Sequence, residues 1–141
     1  DRMFKHILLP TDLSERAERA VDVAIDLAKQ AGGTVTLLHV IQTIQGVEFD
    51  EMQSFYAELE SRVRKRLAAL VARHTDANVE VRMEVAYGVP AAEVLRLSEE
   101  RGIDLVVLAS HAVSRDDPAA GWGTLSYKVG LLVACPVLLV K

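Results

Sequence analysis

The chain has 141 residues, of which 50% are hydrophobic and 26% are charged. A chain of this size and apolar content buries enough surface to fold without disulfide or metal, which excludes a disordered protein. The formal net charge of −4 and the lack of a basic stripe exclude the electrostatic pattern of a nucleic-acid-binding protein. We therefore expect one domain over residues 1–141 and no nucleic-acid partner.

The cysteine content and the hydropathy pattern indicate a cytoplasmic protein. Cys135 is the single cysteine, so an internal disulfide is excluded. The sequence shows no signal peptide and no apolar run of membrane-spanning length, so no membrane association is expected. Cys135 has no CxxC partner and no neighbouring cation, and we interpret it as a small hydrophobic residue of the core.

The first 40 residues predict a strand, a helix and a strand. The first strand is expected over residues 4–9, ending at Pro10, with Ser14 as the N-cap of the helix. Apolar residues then recur at 17, 20, 21, 24, 28 and 31, the spacing of one helical face, and Gly32 and Gly33 end the helix. A second apolar strand follows at 34–40. This pattern predicts a parallel pair with a right-handed crossover.

The middle of the chain predicts a connection, a long helix and an edge strand. Residues 41–49 have no clear period and are interpreted as a connection over the strand ends. Apolar residues at 52, 55, 56, 59, 63, 67, 70 and 71 predict an amphipathic helix over about 50–74. Residues 79–85 alternate apolar with charged side chains, which is typical of a strand with one wet face at the edge of a sheet.

The last third predicts two more helices and two more strands. Gly88 and Pro90 form a turn into a helix that ends at Gly102, with Ala91, Val94, Leu95 and Ser98 on its core side. Residues 105–109 are apolar throughout, which is typical of a parallel strand buried on both faces. A helix over about 123–134 and a strand over 137–140 follow. Five strands alternating with four helices predict a doubly wound parallel α/β sheet. The predicted core includes Ile7, Leu9, Val35, Leu37, Val106, Leu108 and Leu138.

Five segments together resemble the universal stress protein family: MFKHILLPTD at 3–12, GVP at 88–90, DLVVLASH at 104–111, GTLSYKV at 123–129 and CPVLLV at 135–140. The resemblance implies a flavodoxin-like sheet of order 3-2-1-4-5, a homodimer and a stress-response role. In one branch of the family it also implies ATP or AMP held at the carboxyl ends of the strands. The loop after strand 105–109 is where open α/β sheets bind ligands.

The nucleotide signature of that branch is Gly-x-x-Gly, about nine residues, then Gly-Ser/Thr, and it is altered here. Ala109 and Ala112 stand at the two leading glycine positions, and Asp116 and Asp117 lie in the ten-residue gap that follows. Glycine lets backbone N–H groups approach phosphate, and carboxylates repel it. We therefore expect weak or absent ATP binding, with AMP or adenosine less disfavoured. The candidate nucleotide-binding residues are Pro10, Thr11, Asp12, Val40, Ala109, His111, Ala112, Gly123, Thr124, Leu125 and Ser126.

Several residues have alternative interpretations. Asp12 either contacts adenosine, as the resemblance implies, or braces the loop before Ser14. His39 and His111 with Asp12 would make a small metal site, whereas lone histidines at strand ends usually hydrogen-bond the backbone. Trp122 either packs the loop onto the sheet or offers a surface to a ring. Asp12 as a phosphate acceptor would normally need further acidic residues and a lysine, which we do not find.

No catalytic residues, no metal and no required cofactor are expected. The sequence has no GxSxG, no GxxxxGK[ST] and no acidic cluster at metal spacing. The expected function is a non-catalytic regulatory module with a partly degenerate adenine-nucleotide site. The alternative is an ATP- or AMP-binding protein with slow nucleotide hydrolysis. Assembly is expected through the apolar final strand, with an unidentified protein partner in addition; that strand comprises Val137, Leu138, Leu139 and Val140.

Overall fold

The computed structural model describes residues 3–74, 78–110 and 124–141. Its elements follow the predicted alternation of strands and helices. In chain order they are β1 (His6–Pro10), α1 (Ala17–Ala31), β2 (Thr34–Ile41), a 3₁₀ turn (Phe49–Met52), α2 (Gln53–Ala72), β3 (Glu80–Tyr87), α3 (Pro90–Glu100), β4 (Leu105–Ala109), α4 (Leu125–Leu132) and β5 (Val137–Val140). The strands form one parallel sheet of order β3-β2-β1-β4-β5. This confirms the predicted flavodoxin-like topology.

The sheet has a hydrophobic cluster on each face, because alternate residues of a strand point to opposite sides. In β4, Leu105 and Val107 pack with α1 and α2, whereas Val106 and Leu108 pack with α3 and α4. All four side chains are buried. The prediction that β4 is covered on both faces is therefore confirmed. None of the helices in the described ranges is both long and apolar enough to cross a membrane.

Six of the seven predicted core residues are buried, and Leu138 is the exception. Leu138 is 37% exposed, so its prediction as a core residue is wrong. The physical reason is its place in β5, which ends the sheet and pairs with β4 on one side. Its apolar side chain is therefore only partly covered by this chain.

The start of α1 differs from the prediction, while its buried face agrees with it. Arg16, not Ser14, is the N-cap residue, and the Ser14 carbonyl oxygen accepts a hydrogen bond from the Ala17 N–H at 3.0 Å. The predicted Ser14 N-cap is therefore wrong. All six predicted apolar positions of the helix are buried, and Gly32 ends it in the left-handed conformation at φ 69°. β1 spans His6–Pro10, so it begins two residues later and ends one residue later than predicted.

The second and third helices show where the apolar pattern was informative. α2 buries Tyr56, Val63 and Leu67 as predicted, but Phe55 is exposed although the pattern placed it on the apolar face. α3 opens with Pro90 and buries Val94 and Ser98, together with Leu97, which the prediction missed. β3 pairs with β2 alone along its length, which confirms it as an edge strand.

Candidate functional site: a cleft at the carboxyl ends of β1 and β4

A small cleft lies at the carboxyl ends of β1 and β4, between the β1–α1 loop and the start of α4. After β1 the chain passes to α1 on one face of the sheet, and after β4 it passes to α4 on the other face. The two neighbouring strands thus form the topological switch point, where open α/β sheets bind ligands. We call this the β1–β4 cleft. The described residues enclose about 40 Å³ of it.

The structure brings together most of the predicted site residues that it describes. Those that line the β1–β4 cleft are Pro10, Thr11, Asp12, Ala109, Leu125 and Ser126. Thr124, the N-cap of α4, immediately precedes Leu125 in the sequence. Val40 lies in the adjacent strand β2 and packs against the cluster around Leu8. His111, Ala112 and Gly123 lie outside the described residues, as do Asp116, Asp117 and Trp122. Nucleotide binding by these residues stays a prediction.

The β1–α1 loop is held in shape by its own polar groups. The Thr11 N–H donates to the Leu38 carbonyl oxygen at 2.9 Å, which fastens the loop to β2. The Thr11 Oγ1 accepts from the Leu13 N–H at 2.9 Å, and the Asp12 Oδ1 accepts from the Ser14 N–H at 2.9 Å. Asp12 therefore braces the loop before Ser14, as one interpretation of the sequence held, while its side chain also borders the cleft.

Leu13, at the centre of this loop, adopts the left-handed backbone conformation with φ 65°. For a bulky residue that conformation costs of the order of 1–3 kcal/mol and persists only where surrounding contacts enforce it. The Leu13 side chain packs against the core, and its carbonyl oxygen accepts from Arg66 Nη2 of α2 at 3.4 Å. Contacts with the core, β2 and α2 thus hold the loop in place.

The opposite wall of the β1–β4 cleft is the first turn of α4. The Thr124 Oγ1 accepts from the Tyr127 N–H at 3.3 Å and caps the helix. The N-terminus of a helix carries a partial positive charge, so this wall favours an anion. Ser126 adds a hydroxyl group at the cleft surface.

Arg16 also lines the cleft, and the sequence interpretation missed it. Its Nη2 lies 3.8 Å from the Asp12 Oδ2, so a cation and an anion share one wall. Asp12 and Arg16 are four residues apart in the sequence, but Asp12 lies in the loop and Arg16 is the N-cap of α1, so helical spacing does not predict the pair.

His39 contacts the backbone. Its Nδ1 lies 2.8 Å from the Thr11 carbonyl oxygen, and because a carbonyl oxygen only accepts, the ring nitrogen donates. This is the ordinary role of a histidine at a strand end, and it adds another bond to the β1–α1 loop. Within residues 3–74, 78–110 and 124–141 no group of three potential metal ligands is present.

A doubly wound parallel sheet of this order, with a cleft at its switch point, defines a flavodoxin-like α/β protein. The Universal stress protein family matches residues 3–141, and the chain belongs to that family. Universal stress protein YxiE of Bacillus subtilis is 30% identical over 150 residues, which cover 99% of this chain and all of the relative. Universal stress protein A homolog 1 of Coxiella burnetii is 34% identical over 77% of each chain.

Solved structures share the fold of this chain. The structure of MJ0577, a universal stress protein of Methanocaldococcus jannaschii, superposes with a TM-score of 0.80 at 26% identity, covering 99% of this chain and 96% of that one. UspA of Lactobacillus plantarum superposes with a TM-score of 0.77 at 20% identity over the full length of both chains. The predicted family and fold are therefore confirmed.

Proposed function

We propose that this universal stress protein is a cytoplasmic, non-catalytic regulatory module whose β1–β4 cleft binds an adenine nucleotide weakly, with AMP or adenosine preferred to ATP. The observation that carries the proposal is the meeting of Thr11, Asp12 and Ser126 in one cleft at the switch point. The polar loop suits a ribose or a base, and the start of α4 suits a phosphate. Arg16 adds a positive charge at the same place.

Two solved universal stress proteins support an adenine mononucleotide as the ligand class. One was crystallised in complex with cAMP and superposes with a TM-score of 0.77 at 18% identity. Another, from Archaeoglobus fulgidus, is a complex with dAMP and has a TM-score of 0.71 at 17% identity. At these identities they share only the fold with this chain. They support the proposal because the same fold holds an adenine ring with a single phosphate.

The preference against ATP rests on the phosphate side of the cleft. Ala109 borders the cleft at a position where the nucleotide-binding signature has glycine. A methyl group there restricts how closely backbone N–H groups approach phosphate oxygens. Asp116 and Asp117 add negative charge to the same loop of the sequence. Two unit charges about 6 Å apart interact by roughly 3 kcal/mol at an effective dielectric constant near 20, and each added phosphate increases the repulsion.

The absence of catalysis is proposed because the polar groups of the β1–α1 loop already have structural partners. The Thr11 hydroxyl accepts from the Leu13 N–H, and the Asp12 carboxylate accepts from the Ser14 N–H and faces Arg16. A general base must instead be oriented toward the proton that it removes. The alternative, slow hydrolysis of bound ATP, predicts phosphate release that depends on Asp12.

Titration calorimetry with ATP, AMP and adenosine tests the proposal. We expect AMP to bind more tightly than ATP. Arg16→Gln should lower the affinity for AMP by about tenfold, or 1.4 kcal/mol, and should leave the affinity for adenosine unchanged. Arg19→Gln, an exposed arginine of α1, is the matched control. Submicromolar ATP affinity that Thr124→Ala abolishes would overturn the preference, and Asp12-dependent phosphate release would establish the hydrolytic alternative.

We also propose that the protein is a homodimer through β5. Leu138 and Leu139 are exposed, and α4, which leads into β5, exposes Leu131 and Leu132. An apolar edge strand leaves backbone N–H and C=O groups as well as side chains to be covered, and pairing with a second β5 covers both.

A further inference from the structure

Four large apolar side chains are exposed on the connection after β2 and on the start of α2. They are Ile44, Val47, Phe49 and Phe55, with exposed fractions of 46%, 39%, 45% and 50%. We call these four residues the apolar patch. The patch is adjacent to the carboxyl ends of β2 and β3, because β2 ends at Ile41, which pairs with Tyr87 at the end of β3. Solvent-exposed connections are usually rich in small and polar residues, so exposed Phe and Ile side chains call for a functional explanation.

The apolar patch is built on one buried residue, Tyr56. The Phe49 ring stacks on Tyr56 with centroids 5.1 Å apart, and the Phe55 ring meets Tyr56 edge to face at 5.5 Å. The Tyr56 hydroxyl accepts from the Ile44 N–H at 2.8 Å, which fastens the connection to the hydroxyl end of Tyr56. The exposed rings are therefore held in place before any partner binds, and this lowers the ordering cost of an interface.

The patch is also fastened to the sheet and to α2. Tyr87 packs edge to face against both Phe49 and Tyr56, with centroids 5.4 and 5.7 Å away. The Tyr87 hydroxyl donates to Glu60 Oε1 of α2 at 2.7 Å. Such a network gives the patch a fixed shape, as expected for a binding surface and unlike a loosely packed loop.

The charged residues of the segment that carries the patch, residues 42–61, are all negative. Glu48, Asp50 and Glu51 are exposed, and no Lys, Arg or His occurs between positions 42 and 61 of the sequence. No ion pair involves these three acids within the described ranges of the chain. The acids further along α2 are different, since Glu58 pairs with Arg62 at 2.8 Å and Glu60 with Arg64 at 2.9 Å. Glu58 and Glu60 are therefore neutralised within α2. Glu48, Asp50 and Glu51 have no ion-pair partner among the described residues and are available to a cationic partner.

We propose that the apolar patch docks a basic segment of another protein that carries apolar anchor residues. The rings bury the anchors, and the three acids attract the lysines or arginines beside them. The same charges disfavour the other occupants. A second copy related by a two-fold axis would bring the acids of both patches together, and nucleic acid or an anionic membrane would be repelled. The proposal is independent of nucleotide binding, because no residue of the patch lines the β1–β4 cleft.

The probe for a test is a dye-labelled synthetic amphipathic peptide of leucine and lysine, compared with the same peptide carrying glutamate in place of lysine. Fluorescence anisotropy should detect the lysine peptide alone, with affinity that falls as salt rises. We expect Phe49→Ser/Phe55→Ser to weaken binding by about tenfold or more, and Glu48→Gln/Asp50→Asn/Glu51→Gln to weaken it by a similar factor. The second variant retains all four apolar residues, so it tests the proposal even if the serine variant folds poorly.

Val89→Ser and Glu99→Gln are the matched controls, because both residues are exposed on α3 or next to it and lie outside the patch. Both should bind the lysine peptide as the parent does. Equal binding by the patch variants and the parent would overturn the proposal, as would equal binding of the glutamate peptide. A fall in oligomeric state on Phe49→Ser/Phe55→Ser, with peptide binding absent in the parent, would overturn it in favour of a second copy as the occupant.

Discussion

The two edge strands of the sheet are built differently, although both pair with one neighbour. β3 has eight residues, all in register with β2, and it places Glu80, Arg82 and Glu84 among its apolar residues. β5 has four residues, all apolar, and exposes Leu138 and Leu139. Soluble proteins protect an edge strand with charges or by covering it. β3 carries its own protection, whereas β5 exposes apolar side chains at its edge.

Side-chain contacts strengthen this contrast. In β3, Arg82 pairs with Glu80 at 3.3 Å, and Glu84 pairs with Arg101 at the end of α3. Tyr87 joins the end of the strand to α2 through Glu60. β3 is therefore connected to helices on both faces of the sheet. The edge at β5 continues into the exposed leucines of α4, and this arrangement favours association.

The largest expected effect concerns the centre of the sheet, which connects the two edge strands. Leu108→Asp would place a charge in a fully covered position of β4, and we expect a loss of more than about 4 kcal/mol in the free energy of unfolding or a failure to fold. Met83→Asp, at a partly covered position of β3 that is 41% exposed, should cost less, about 1–2 kcal/mol. Urea denaturation measures both values. A Leu108→Asp protein as stable as the parent would contradict the central position of β4.

The second prediction compares the edges directly. Leu139→Lys should convert the proposed dimer to a monomer or raise its dissociation constant by about tenfold or more, because it places a charge in the apolar strand. Met83→Lys introduces the same charge on the other edge and should leave the oligomeric state unchanged. Sedimentation velocity at micromolar concentration distinguishes these outcomes. A parent protein that sediments as a monomer would exclude the β5 dimer.

The sequence predicted the fold well where its signals were unambiguous. Helical spacing in α1 corresponds to a single burial pattern, and all six apolar positions are buried. Alternation in β3 predicted the strand, although Met83 on its apolar side is exposed. An uninterrupted apolar strand is ambiguous, because it describes both β4, which is covered on both faces, and β5, where Leu138 is exposed. Periodicity records side-chain type and not the elements that cover a strand, so the Leu138 prediction was wrong for a physical reason.

The candidate site was predicted only in part. The motif placed Thr11, Asp12, Leu125 and Ser126 at one end of the sheet, and the structure brings them into one cleft. Arg16 was missed because it precedes the first residue of α1 and belongs to no motif, so only the fold brings it to the cleft. Phe55 was assigned to the buried face because its spacing along α2 suits burial. In the structure its ring is exposed and contacts Tyr56 from outside.

The smallest predicted effect concerns the tie between β3 and α2. Burial, followed by the hydrogen bond and negative charge of Glu60, raises the pKa of Tyr87 to about 12. The hydrogen bond from Tyr87, together with Arg64, lowers the pKa of Glu60. The folded state therefore holds the phenol proton more tightly than the unfolded chain, in which tyrosine has its ordinary pKa of about 10. The tie contributes its full stability below about pH 10 and loses it as pH rises through about 12.

Tyr87→Phe removes this tie while keeping the ring that packs on Phe49 and Tyr56. In a spectroscopic titration of tyrosinate, we expect the variant to lose one component that titrates near pH 12 in the parent. The fall in stability between about pH 10 and 12 should also be smaller in the variant than in the parent, because the variant has no phenol to ionise there. Since β5 lies at the opposite edge of the sheet, the oligomeric state of Tyr87→Phe should equal that of the parent. A variant that lost the late component and also dissociated would show that the two edges are coupled through the sheet, which would contradict their independence.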